Sequence, residues 1–123
     1  MSRVNHGITS EKSTDAIFAV MKDVTKLHEW STFINSTKDL GGGSYEATTT
    51  MGPFNFTWSV DEGEKKCTMA AKIMGQDFES YFYVKDEDGK TGIYEDVPQN
   101  PMVPLEQIKA GIETDLNKLA GLA

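Results

Sequence analysis

The 123-residue chain has little of several things, and each shortage removes a class of function. It has one cysteine, Cys67, so no internal disulfide can form. No apolar run approaches the roughly 18 residues that a membrane-spanning helix needs. The opening residues, Ser2-Arg3-Val4-Asn5-His6, lack the apolar stretch of a secretory signal, so a reducing cytoplasm is the expected compartment and membrane insertion is not expected. Positive charge is scarce: 12 Lys and Arg face 19 Asp and Glu, a formal net charge of −7, with no basic cluster beyond Lys65-Lys66. Phosphate backbones are bound through neutralising cations, so no nucleic-acid partner is expected, and a neutral or cationic partner fits better.

Catalytic and metal-binding signatures are also missing. His6 and His28 stand on different elements with no second cysteine or acidic cluster to complete a zinc site, so no metal and no cofactor are expected. Gly41-Gly42-Gly43 lacks the following helix and Lys-Ser/Thr pair of a phosphate-binding loop, and reads as a turn. Cys67 lies on a strand of alternating apolar residues with no histidine beside it, which fits a buried, inert thiol better than a nucleophile.

What is present is a well-patterned globular chain, read as a single domain over residues 1–123. Residues 3–10 read as a short strand, after which Ser13 caps a helix with Ile17, Val20, Met21 and Val24 on one face. A second helical turn over residues 25–30 forms a corner at Trp30. From Phe33 the period changes to two. Tyr45, Ala47, Thr49 and Met51 alternate with polar residues, then Phe54, Phe56, Trp58 and Val60. Cys67, Met69, Ala71 and Ile73 follow, then Phe78, Ser80, Phe82 and Val84, and last a strand around Ile93, completing six short-linked antiparallel strands. Residues 97–104 hold three of the four prolines and serve as a linker. The last element is a helix of 16 to 18 residues with the stripe Leu105, Ile108, Ile112, Leu116 and Leu119, about 25 Å long and enough to cross a sheet.

This order (β-α-α-β6-α, an α+β chain with about seven strands curved around a long C-terminal helix) resembles the helix-grip fold of the START-like, or SRPBCC, superfamily. That superfamily includes pollen-allergen-like proteins, polyketide cyclases and dehydratases, and lipid-transfer domains. The resemblance rests on Ser13-Thr14-Asp15-Ala16-Ile17-Phe18, Asp23, the Trp30 corner and the helix over residues 105–119. Fatty-acid-binding barrels lack the terminal helix, and cone-shaped isomerase-like domains place their helices before the sheet.

The resemblance implies a space between sheet and helix. The residues expected to line it are Trp30, Thr49, Met51, Phe56, Trp58, Met69, Ala71, Phe82, Tyr94, Ile112 and Leu116, with Thr49 or Tyr94 as the polar contact. Any domain of this size must bury such residues, so a plain packed core is the competing reading. The leading expectation is binding of a small hydrophobic or aromatic molecule. The first alternative is an enzyme like polyketide cyclases and dehydratases, for which Tyr94, Glu95 and Asp115 are the available acids and bases; Glu46 and Asp61 are further acids expected near the space. The second alternative is a protein-interaction domain with a filled core. The small hydrophobic molecule is the main expected partner, and a homodimer is left open.

Overall fold

A computed structural model describes residues 2–73 and 75–123. The order is β1 (Arg3–Ser10), α1 (Thr14–Met21), a 3-10 turn (Val24–Lys26), α2 (Leu27–Trp30), β2 (Ser36–Gly41), β3 (Ser44–Thr49), β4 (Gly52–Asp61), β5 (Lys66–Ile73), β6 (Gln76–Glu87), β7 (Lys90–Pro98) and α3 (Leu105–Leu122). The strands form one antiparallel sheet in the order β1-β7-β6-β5-β4-β3-β2. Hairpins join β2 through β7, and β1 pairs with β7 after the chain has made its helical excursion. This is the α+β helix grip read from the sequence.

Local chemistry accounts for the element ends. Ser13 is extended and its hydroxyl accepts from the Ala16 N–H at 3.1 Å, filling one of the orphan donors at the start of α1. Asp23 caps the 3-10 turn by accepting from the Thr25 N–H at 3.1 Å. At the far end of the chain, Lys12 Nζ donates to the carbonyls of Ala120 at 2.5 Å and Ala123 at 2.8 Å, placing a cation where the α3 dipole is negative.

Strand parity then builds the core. Val4 and Ile8 of β1, Ile93, Glu95 and Val97 of β7, Phe82 and Val84 of β6, and Cys67, Met69 and Ala71 of β5 share the inner face with Phe54, Phe56 and Trp58. Ile17, Phe18, Val20 and Met21 of α1 and Ile112, Leu116 and Leu119 of α3 complete the buried cluster. The stripe of α3 is thus shorter than its sequence pattern: Ile108 is half-buried, and Leu105 in the first turn is exposed. Strand β7 runs on to Pro98, two residues into the segment read as linker, because Val97 and Pro98 still have β1 partners in Val4 and Arg3.

Candidate functional site

The inner face does not close completely. A cavity of about 610 Å³ opens beside α3, between β4–β7, the α2–β2 loop and the loop after β7. Phe54, Met69, Ala71, Phe78, Phe82 and Val97 make its sheet wall, while Phe33 and Ile34 close it from the α2–β2 loop. The exposed residues Phe33, Ile73, Gln76, Asn100 and Pro101 rim its mouth.

Two carboxyl groups reach this space. Glu95 follows the inward parity of Ile93 and Val97, so the fold carries an acid into the apolar face; it is only 8% exposed, and among the described residues its Oε1 has no hydrogen-bond partner. Burial, and then the charge of Asp115, push its carboxyl up to about 8, so it holds its proton at neutral pH. Asp115 on α3 is half-buried, and its Oδ1 accepts from the Thr32 N–H at 3.0 Å and the Thr32 hydroxyl at 2.9 Å. Burial raises the Asp115 carboxyl, while the two Thr32 bonds and the nearby Lys118 pull it back down. Across the sheet from Glu95 stands His6, whose Nε2 lies 2.7 Å from Glu113 Oε2 of α3.

Of the eleven residues expected at the site, the structure brings Met69, Ala71 and Phe82 to the cavity wall. The other eight lie elsewhere. Ile112 and Leu116 are packed into the core, so α3 reaches the cavity through Asp115 rather than through its apolar stripe. Trp30 is buried with its ring edge-on to Phe82 at 5.3 Å, and its indole N–H has no partner among the described residues. Trp58 is buried and donates its indole N–H to the Lys22 carbonyl at 3.2 Å, while Phe56 stacks on Tyr45 at 5.6 Å. Both therefore back the wall without lining it.

Three expectations fail for local reasons. Thr49 ends β3: its hydroxyl donates to the Gly52 carbonyl at 2.7 Å and accepts from the Met51 N–H at 3.1 Å, tying off a turn. Met51 consequently sits in that turn and is 86% exposed, because the alternation that would have turned it inward stops two residues earlier. Tyr94 lies between the inward positions 93 and 95 and faces outward, stacked on Tyr83 at 5.1 Å and donating to Glu87. There its ring covers Gly7 and Gly92, where an added Cβ would come within 2.6 and 2.8 Å of it. Asp61 is also away from the cavity, accepting from the Glu64 N–H in the β4–β5 turn, and Glu46 on β3 has the opposite parity to the inward Ala47. Cys67 is fully buried, and desolvation pushes its thiol up to about 12, which makes it inert at neutral pH.

Phe78, Ser80, Val97 and the residues of the 98–101 loop were not singled out for the site, yet they line it. For Phe78 and Ser80 a signal existed, since they share the parity of Phe82. Among the described residues, no group of three or more metal-ligating side chains occurs, and no helix is long and apolar enough to cross a membrane.

Several solved structures share this geometry. XoxI from Bacillus cereus superposes with a TM-score of 0.74 at 18% identity, over 99% of this chain and 95% of that one. A START superfamily protein from Mycobacterium smegmatis matches at 0.66 and 15%, over 97% and 92%. The ZhuI aromatase/cyclase from Streptomyces sp. R1128 matches at 0.66 and 13%, over 98% and 92%. The chain has the START-like fold. No family model matches the sequence, and no curated protein does. At these identities the START-like likeness concerns the fold, and function must be argued from the cavity itself.

Proposed function

We propose that this START-like domain binds a small apolar or aromatic molecule in the cavity beside α3. The observation that carries the reading is a 610 Å³ space walled by Phe54, Met69, Ala71, Phe78 and Phe82, within the roughly 300–1,000 Å³ usual for small-molecule sites. A filled-core interaction domain does not account for such a space. Enclosing about 250 Å² of apolar ligand surface at about 25 cal/mol per Å² contributes on the order of 6 kcal/mol before entropic losses, so affinities of about micromolar are expected.

A second reading, an enzyme of cyclase or dehydratase type, is supported by one observation. A carboxyl that keeps its proton, Glu95, shares the cavity with Asp115, whose carboxyl receives two stabilising bonds from Thr32. That is the pairing an acid–base reaction on a carbonyl chain requires. Tyr94, the other acid considered, is outside this arrangement. The ZhuI protein, described as an aromatase/cyclase, is similar in fold and gives the enzyme reading its reaction class.

Binding is tested with the fluorescent apolar probe N-phenyl-1-naphthylamine. Saturable enhancement is expected with the wild-type protein, and Ala71→Leu, which puts three extra carbons on the cavity wall, should weaken it at least about fivefold while the protein stays cooperatively folded. No saturable enhancement, or enhancement unaffected by Ala71→Leu, contradicts the reading.

A further inference from the structure

The cavity's polar equipment has one sign. Its described lining contains Glu95 and Asp115 but no Lys, Arg or His, and the only other polar side chains there are Ser31, Gln76, Ser80, Gln99 and Asn100. The molecule as a whole carries a formal charge of −7, so its long-range field also draws cations. Within that lining Glu95 is in an unusual state: it is only 8% exposed, it lines the cavity, and its Oε1 finds no donor among the described residues. A buried carboxyl short of partners is costly, and a ligand donor that reaches the Glu95 carboxyl from the cavity offsets that cost.

We propose, on the footing of the binding role above, that the cavity takes a hydrophobic primary amine, its ammonium held at Glu95 and Asp115 and its apolar body against Phe54, Phe78 and Phe82. An ammonium has three N–H donors and no acceptor, which matches two carboxyls in a site without a basic group. Its bonds to carboxylates are charge-assisted and stronger than those of a neutral hydroxyl. A carboxylate-ended ligand of the same shape meets the charge of Asp115, offers no N–H donor and makes ionising Glu95 costlier still, so it is disfavoured.

The proton balance follows from the state of Glu95. Free in water at pH 7, an alkyl amine with a pKa of about 10 is already an ammonium. Glu95 holds a proton until the ammonium arrives. The ion pair forms as Glu95 gives up that proton to the buffer, so binding one amine releases up to one proton. The titratable and charged groups around Glu95 are Asp115 of α3, with Lys118 near it, and His6 of β1, which is engaged with Glu113 of α3.

The test uses one apolar body with three ends: 4-phenylbutylamine, 4-phenylbutan-1-ol and 4-phenylbutanoate, titrated calorimetrically at pH 7.0 in phosphate and in Tris. The amine is expected to bind at least about tenfold tighter than the alcohol, and the carboxylate more weakly than either. The apparent enthalpy for the amine should differ between buffers by the ionisation enthalpy of the proton released, and that for the alcohol should not. Glu95→Gln should bring the amine-to-alcohol ratio to within about threefold of one and remove the buffer dependence, and Asp115→Asn should lower the ratio as well.

Alcohol binding as tight as amine binding overturns the amine assignment and leaves the binding reading standing. An amine preference that survives both substitutions also overturns it, since attraction to the acidic surface would then be the cause. No binding by any of the three overturns both. If Glu95→Gln fails to fold, the wild-type ratio and buffer dependence decide the matter alone.

Discussion

Replacing Glu95 by Gln keeps the side chain's shape and removes its titration, so the pair of proteins reports how this one carboxyl contributes to stability. In the folded chain burial first, and then the charge of Asp115, push this carboxyl from an ordinary 4.5 up to about 8. Between those values the folded protein holds a proton that the unfolded chain has already released. Stability therefore falls as pH rises, by about 1.4 kcal/mol per pH unit, and levels off above the folded value. From pH 5.5 to 7.5 the loss is about 2–3 kcal/mol, a large part of the 5–15 kcal/mol that holds a typical domain together. Urea unfolding of both proteins at pH 5.5, 6.5, 7.5 and 8.5 isolates this contribution, because all other groups are common to both proteins and cancel in the difference. The stability of Glu95→Gln relative to wild type should rise by about 2–3 kcal/mol across the first three points and by less than about 1 kcal/mol more at the fourth. Asp115→Asn in the wild-type background should move the falling region to lower pH, since it removes a charge that raises Glu95. A difference that stays constant within about 0.5 kcal/mol from pH 5.5 to 8.5 refutes the reasoning, for it means that Glu95 is ionised and solvated throughout.

Two stability predictions follow from the positions of α3 and of the β3–β4 turn. Leu116 is fully buried under α3, so Leu116→Ala should cost about 2–5 kcal/mol in urea unfolding; a loss below about 1 kcal/mol would show that α3 packs loosely on the sheet. Met51 is 86% exposed, so Met51→Ala should change stability by less than about 0.5 kcal/mol; a loss on the scale of Leu116→Ala would place it in the core after all.

Much of the fold was legible because burial writes a period into the chain. The alternation Phe54, Phe56, Trp58 places β4 and its inner face directly, and Ile112, Leu116 and Leu119 place α3. Strand β2 (Ser-Thr-Lys-Asp-Leu-Gly) is largely exposed at the sheet edge, and its polar residues leave only a faint period. The site was harder to read, because apolar patterning marks which side chains are withdrawn from water and says nothing about whether the space among them is full. Ile112 and Leu116 satisfy the same pattern as Met69 and Phe82, yet the first two touch core and the last two face the cavity. What separates them is where the α2–β2 loop and residues 98–101 come to rest, which is a long-range outcome. Glu95 could have been found: an acid between Ile93 and Val97 at inward parity conflicts with the strand around it, and such conflicts are where function is to be sought.

The central claim, a ligand site beside α3 rather than beneath its apolar stripe, is tested most directly by methyl NMR during a titration with 4-phenylbutan-1-ol. The account predicts saturable shifts, with one common affinity, at the methyls of Ile34, Met69, Ala71 and Val97, which line the cavity, and little change at Ile17 and Leu119, which are fully buried in the core. Shifts confined to exposed methyls such as those of Met51 and Met102, or centred on Leu119 and its neighbours, would contradict it.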